Sequence, residues 1–353
     1  MSFAGQEFEC TVAQAAELLK IMLEAGDKVF LWGPPGIGKT EMVTQVCRSL
    51  DMPCLPFHAS LREQVDLRGI PVYDPVARTT FWAAPNELPQ EKRDGARGVL
   101  FCDEFNQAAP QVQSALGGLV HDGICGEYEL PKGWIVVAAG NRVADKAAAQ
   151  RMPSHIRNRF SHLHVIPDIP SWCDWAGKNG IAPELVAFQR LRSGELNGKG
   201  LLHVMPKDDN VNAYPTPRSW VKAAKYVGAP KALRVKLMAA HVGAAYASEF
   251  DAFIDLYQSI GDLQDIIKNP ATAKLPDSPS TRYAVCTGLA RMATKANLAA
   301  IHQYVKRIED GAGKQHRESE ALVMHDATSR DETLKNTAVY GKWAVSSQDI
   351  TIQ

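Results

Sequence analysis

The chain has 353 residues with 39 basic and 39 acidic side chains, enough length for two or three domains with cores of their own. A formal net charge of zero leaves no global attraction toward a nucleic-acid backbone or an anionic membrane. The seven cysteines are scattered and lack C-x-x-C spacing, which argues against a zinc or disulfide framework and suits a reducing cytoplasm. No apolar run reaches the roughly 18 residues of a membrane span, and "MSFAGQEFEC" has neither the basic start nor the apolar core of a signal peptide. The expectation is a cytoplasmic protein with no membrane segment.

In chain order, "TVAQAAELLKIMLEA" (11–25) places Val12, Ala15, Leu18, Leu19 and Met22 on one helical stripe, closed by Gly26. A strand follows at Lys28 to Trp32, then a glycine turn from Gly33 to Lys39, then helical periodicity in "TEMVTQVCRSL". Further apolar runs at Pro53–Phe57, Val99–Asp103, Trp134–Ala139 and His162–Ile166 read as strands separated by helix or turn signals. Five strands alternating with helices imply an α/β domain with a parallel sheet flanked by helices. Two prolines in "IPDIPSW" (166–172) interrupt this pattern, and strand signals almost vanish beyond them. The expected domains are an α/β nucleotide-binding domain at 1–167, a helical lid at 168–261 and a mostly helical C-terminal extension at 262–353. Loops are expected at "GELNGKG" and "PKDDNVNAYPTP".

Three short stretches carry chemistry. In "GPPGIGKT" (33–40), Gly33, Gly36 and Gly38 let backbone N–H groups turn toward phosphate oxygens, Lys39 reaches the terminal phosphates, and the Thr40 hydroxyl can ligate Mg²⁺. The nucleotide-binding set is Gly33, Pro34, Pro35, Gly36, Ile37, Gly38, Lys39, Thr40 and Glu41, joined by Asp103. In "LFCDEFNQA" (100–108), a buried strand runs into two adjacent carboxylates, which strand alternation would aim in different directions. Asp103 would hold the Mg²⁺ shell with Thr40, and Glu104 would polarise the attacking water. In "WIVVAAGNR" (134–142), Asn141 ends another strand, where its amide can orient that water; a plain turn is the other reading. Arg157 and Arg159 of "MPSHIRNRF" (152–160) suit donation to the γ-phosphate of a neighbouring subunit, against the blander reading of a solvated pair.

Together, "GPPGIGKT", "LFCDEFNQA", "AAGN", "HIRNRF" and "YPTPRSW" resemble the AAA+ P-loop ATPases, specifically their MoxR-like, helix-2-insert branch. "DEFNQAAPQVQSALGGLVHDG" is similar to that branch's run from the acidic motif into a helix. "GICGEYELPKGW" (123–134) resembles its inserted β-hairpin, expected to project away from the nucleotide pocket. "TPRSW" resembles the lid's arginine motif, which gives Arg218 the role of touching the γ-phosphate. The branch places an acidic residue where this chain has Asn158, so whether Arg157 or Arg159 is the finger stays open.

The resemblance implies an ATP- and Mg²⁺-dependent ATPase acting as a ring of six subunits. It would remodel or activate a protein partner in chaperone-like fashion, a von Willebrand factor A domain protein being the usual kind. The alternative is a nucleic-acid motor or loader, which zero net charge disfavours. A nucleotide-switched scaffold is a third class, against which Glu104 argues, because a switch needs no general base.

Overall fold

The computed structural model describes residues 8–142, 152–194, 200–206, 208, 210–258, 263–312 and 318–347. The chain divides into two compact units, Met1–Pro167 and Asp168–Gln353. The expected boundary at 261/262 lies outside the described residues, as does most of "GELNGKG".

The first unit begins with strand β1 (Glu9–Thr11) and helix α1 (Val12–Glu24). Thr11 caps that helix: its hydroxyl accepts from Gln14 N while the Gln14 side chain accepts from Thr11 N, a reciprocal box that satisfies two free N–H groups. Ala15, Leu19 and Leu23, four apart, form its buried stripe, and Gly26 takes φ 82° just past the end. The chain continues through β2 (Val29–Trp32), α2 (Lys39–Ser49), β3 (Cys54–His58), α3 (Gln64–Arg68), β4 (Ile70–Asp74), β5 (Thr79–Ala83), α4 (Glu91–Asp94) and β6 (Arg97–Asp103). Then come α5 (Pro110–His121), β7 (Ile124–Cys125), β8 (Tyr128–Glu129), β9 (Gly133–Gly140), α6 (Ser154–Arg157) and β10 (Ser161–Ile166).

Six strands form one sheet in the order β1-β10-β2-β9-β6-β3, every pair parallel. This is the expected α/β arrangement, a central parallel sheet flanked by helices. Five of these strands coincide with the five apolar runs; the sixth, β1, is a three-residue edge strand too short to show alternation. Successive strand residues supply opposite faces. Phe30, Leu100, Cys102, Val136 and Ala138 enter one core with α5, while Val29, Leu31, Val99, Phe101, Val137 and Ala139 enter the other with α1 and α2. In the first core the rings of Phe30, Phe105 and Phe160 meet edge to face at centroid separations of 5.4–5.8 Å, a favoured aromatic geometry.

Two hairpins lie outside the sheet. β7 pairs antiparallel with β8, Ile124 opposite Glu129 and Cys125 opposite Tyr128, so residues 123–130 do form a hairpin. It is docked rather than projecting. Tyr128 is buried with its hydroxyl donating to Pro89 O at 2.6 Å, and the Glu127 carboxylate accepts from Trp82 N at 2.9 Å. The aromatic ring is worth more in the core than in solvent. The second hairpin, β4–β5, was not legible as strands; Ile70, Tyr73, Val76 and Phe81 on it are exposed.

The second unit is helical among its described residues. Helices α7 (Ile169–Lys178), α8 (Pro183–Leu191), Pro217–Ala224, Lys231–Val242 and Ala244–Gln258 enclose a core around Trp172, Phe188, Trp220 and Phe250. The helix Pro279–Met292 gives Ala284 to that core and Val285, Cys286 and Leu289 to a second one. The second core is completed by Leu298–Ala312 and Glu318–Arg330, through Ile301, Tyr304, Val323 and Met324. No helix among the described residues is long and apolar enough to cross a membrane.

Candidate nucleotide-binding site

The sheet register decides what meets at its C-terminal edge. Trp32 at the end of β2 lies opposite Gly140 of β9, and Cys102, next to the end of β6, lies opposite Ala138. The residues that follow these strands, Gly33, Asp103 and Asn141, are therefore brought to one rim, where ligands gather in parallel α/β sheets.

The loop from Gly33 to Gly38 is shaped by its glycines. Gly36 and Gly38 have φ of 78° and 97°, a region costly to any residue with a Cβ. At Gly33 the need is proximity, since a Cβ there would sit 2.5 Å from Val165 O. Ile37 is 5% exposed and packs with Met42 and Val43 in the α2 face of the core, anchoring the loop from below. Pro34 is buried and Pro35 half-buried. Gly38 caps α2 without a side-chain bond, so the first-turn N–H groups point at the loop's concave side with the positive helix end behind them, an arrangement built for phosphate. Glu41 lies on the exposed face of that first turn, its carboxylate accepting from Gln45 Nε2 at 2.9 Å.

Lys39 gathers the other parts. Its ammonium donates to Gly33 O at 2.6 Å, Pro34 O at 3.0 Å and Asn141 Oδ1 at 3.2 Å. The Thr40 hydroxyl donates to Asp103 Oδ2 at 2.6 Å. One hydroxyl and one carboxylate oxygen in contact, beside a phosphate-shaped loop, form a donor set that fits Mg²⁺, a hard cation that takes a few protein oxygens and keeps its waters.

Asp103 and Glu104 do diverge, though not by strand alternation. β6 ends at Asp103, and Glu104 takes a left-handed conformation with φ 55°, an uncommon state for a non-glycine residue that concentrates at functional sites. Asp103 Oδ1 accepts from Glu104 N at 2.9 Å, which holds the kink. The exposed Glu104 carboxylate accepts from the Ser60 hydroxyl. Beneath the carboxylates, the Cys102 thiol is fully buried and burial pushes its pKa up to about 12, so it stays neutral.

Residues beyond the sequence reading complete the site. Asn106 is fully buried, its Nδ2 donating to Asn141 O at 2.8 Å and its Oδ1 accepting from Asn141 N at 3.2 Å. Gly140 must be glycine here, because a Cβ would come within 2.3 Å of Asn106 Oδ1. Ser60 follows β3 and is set against Glu104 from 44 positions away. Asn106, two residues past Glu104, was visible in the sequence, but its partner Asn141, 35 positions on, was not.

Arg157 and Arg159 differ in freedom. Arg159 is half-buried and donates to Gly117 O on α5 at 3.5 Å. Arg157 is exposed, at the end of α6, with no side-chain partner among the described residues; its carbonyl bonds His162 Nε2 at 2.8 Å. The other His162 nitrogen, Nδ1, accepts from Trp32 Nε1 at 2.9 Å, so the last side chain of β2 is tied to the arginine segment. Both arginines line a cleft of about 740 Å³ together with His155, Asn158 and Phe160. Arg218 lies in the second unit, exposed in the first turn of the helix Pro217–Ala224, whose Thr216 cap accepts from Ser219 N at 3.0 Å.

Comparison with known proteins agrees with this geometry. Residues 28–160 match the family model of the AAA domain, dynein-related subfamily. No curated protein matches the chain. Among solved structures, the chain is similar to the Thermotoga maritima RuvB Holliday junction branch migration motor, with 16% identity over 84% of this chain and 86% of that one, at a TM-score of 0.39. It is also similar to NtrX of Brucella abortus, with 13% identity over 90% of this chain and 69% of that one, at a TM-score of 0.40. These likenesses carry no functional weight; the domain match, the loop and the carboxylate pair do. The first unit holds an AAA domain of the AAA+ P-loop class, and the protein is an ATPase.

Proposed function

We propose that the protein is a MoxR-like AAA+ ATPase that assembles as a ring of six subunits, as the resemblance of its motifs implies, and uses ATP hydrolysis to remodel or activate a protein partner in the cytoplasm. The observation that carries the choice of a protein over a nucleic acid is the β4–β5 hairpin. Its Ile70 is 71% exposed, Tyr73 62% and Val76 92%, and one arginine, Arg78, is balanced by Asp74 within the same hairpin. An exposed apolar arm suits a polypeptide; a nucleic-acid contact needs clustered positive charge. A partner with a von Willebrand factor A domain fits the same reading.

In this reading the N–H groups of the Gly36–Thr40 turn and the Lys39 ammonium hold the β- and γ-phosphates. Thr40 and Asp103 hold Mg²⁺, which when bound neutralises developing charge on the phosphate oxygens. Glu104 takes a proton from the attacking water, with Ser60 fixing its carboxylate. Asn141 orients that water. Arg157, the freer of the two arginines, is the finger offered to a neighbouring subunit, and Arg218 of a lid at 168–261 completes the γ-phosphate contacts, with 262–353 as an extension of that lid.

The test is stimulation of turnover. An unfolded polypeptide such as reduced casein should raise ATPase activity, and Val76→Asp with Phe81→Asp should remove the stimulation while basal turnover stays. Stimulation instead by DNA, weakening steeply with salt, would replace the partner class.

A further inference from the structure

The second unit contains three metal-ligating side chains that no part of the ATPase site uses. Asp174 on α7 faces His325 and Asp326 on the helix Glu318–Arg330. His325 Nδ1 is 3.5 Å from Asp174 Oδ1 and 3.8 Å from Asp326 Oδ1, and the three donor atoms lie within 4.8 Å of one another. Those separations exceed the roughly 2.7–3.2 Å of a normal hydrogen bond. They are close to the roughly 3.4 Å between donors that bind one tetrahedral ion at about 2.1 Å.

Two further observations point to an occupant. Asp174 Oδ1 is buried without a hydrogen-bond partner among the described residues. Asp174 and Asp326 also line a cavity of about 60 Å³, and on the same wall Thr287 is 5% exposed with its hydroxyl buried and unpartnered. A cavity of that size has room for an ion with one or two waters, and Thr287 would take a hydrogen bond from such a water.

Arg190 on α8 pairs with Asp326 Oδ2, which leaves Asp326 Oδ1 for another partner, and its other arm is 4.0 Å from Asp174 Oδ1. The Arg190 guanidinium lies against both carboxylates, and Lys178, Arg291 and Arg330 also line the cavity. Arg190 thus acts on Asp326 as an outer-sphere partner acts on a ligating carboxylate.

We propose that Asp174, His325 and Asp326 form a binding site for a divalent first-row transition ion of the zinc class, fastening α7 to the helix Glu318–Arg330. The mixed imidazole and carboxylate donors favour such an ion over Mg²⁺ or Ca²⁺, which prefer oxygen alone.

The experiment uses the full chain, untagged, stripped with chelator and free of nucleotide. Co²⁺ is titrated by visible absorption and Zn²⁺ by calorimetry, for the native protein, Asp174→Asn and His325→Ala. One equivalent should bind the native protein, with each variant weakening it at least about tenfold, and Zn²⁺ should raise the native Tm but not that of the variants. His325 is 42% exposed, so His325→Ala decides the matter if Asp174→Asn does not fold. Equal binding by native protein and a folded His325→Ala, or no binding by either, would show an ion-pair network only and overturn the site.

Discussion

Asn106 grips the backbone of Asn141 at both ends of its amide, donating to the carbonyl at 2.8 Å and accepting from the N–H at 3.2 Å. The side chain of Asn141, 3.2 Å from Lys39 Nζ, is therefore aimed by a residue that touches no substrate. Asn106→Ala leaves two buried backbone groups unpaired, at about 1–3 kcal/mol. ATP affinity should change little while kcat falls at least about tenfold, since small displacements of positioning groups are costly. Equilibrium nucleotide binding alongside steady-state turnover checks this; a kcat equal to native would remove Asn141 from the reaction.

Lys39→Ala and Glu104→Gln should separate binding from chemistry. The first removes the charge facing the terminal phosphates and should abolish nucleotide binding. The second keeps the loop and should retain binding with turnover reduced by about 10²-fold or more. Fluorescent nucleotide titration on both variants reads the difference, and parallel loss of binding would contradict the assigned roles.

Arg157→Ala should lower turnover far more than Arg159→Ala, because Arg159 is engaged with Gly117 O while Arg157 is exposed. A finger acting across an interface is worth about a thousandfold. Mixing Arg157→Ala subunits with Lys39→Ala subunits should restore part of the activity, since some interfaces then join an intact loop to an intact arginine. No recovery on mixing would place the arginine elsewhere.

In the second unit, Arg234 is 4% exposed and pairs with both Asp251 and Asp255. Arg234→Ala strands the buried Asp251, and losing one partner of a buried pair costs about 3–5 kcal/mol. Urea unfolding followed by far-ultraviolet circular dichroism should show a markedly lower midpoint. A variant that unfolds like the native chain would mean water already compensates these charges.

The phosphate loop was legible because Gly33 to Thr40 are contiguous and each residue's part follows from its type. β2, β6 and β9 were legible because their apolar runs are buried on both faces of a parallel sheet, while β3 and β10 were legible from short apolar runs of which only Phe57, Leu163 and Val165 are buried. What sequence could not carry were pairings across distance: Ser60 with Glu104, Asn106 with Asn141, Trp32 with His162. The β4–β5 strands escaped because their apolar residues face solvent, so the usual link between hydrophobic alternation and burial gives no signal there. That the 123–130 hairpin docks through Tyr128 was not legible, because its partner, Pro89 O, lies 39 positions away.

The thiols give the molecule a built-in clock. Cys54 is the one partly exposed cysteine, and a hydrogen bond from Cys47 lowers its pKa against the opposing effect of burial. The other six are buried, and in Cys102 of the first unit and Cys173 of the second burial pushes the pKa up to about 12. Alkylating reagents attack only thiolates they can reach, so Cys54 should be modified at once and the rest only when their surroundings open. Timed alkylation read by peptide mass would then report the opening rates of the sheet and of the helical unit separately, in one sample, with no label introduced.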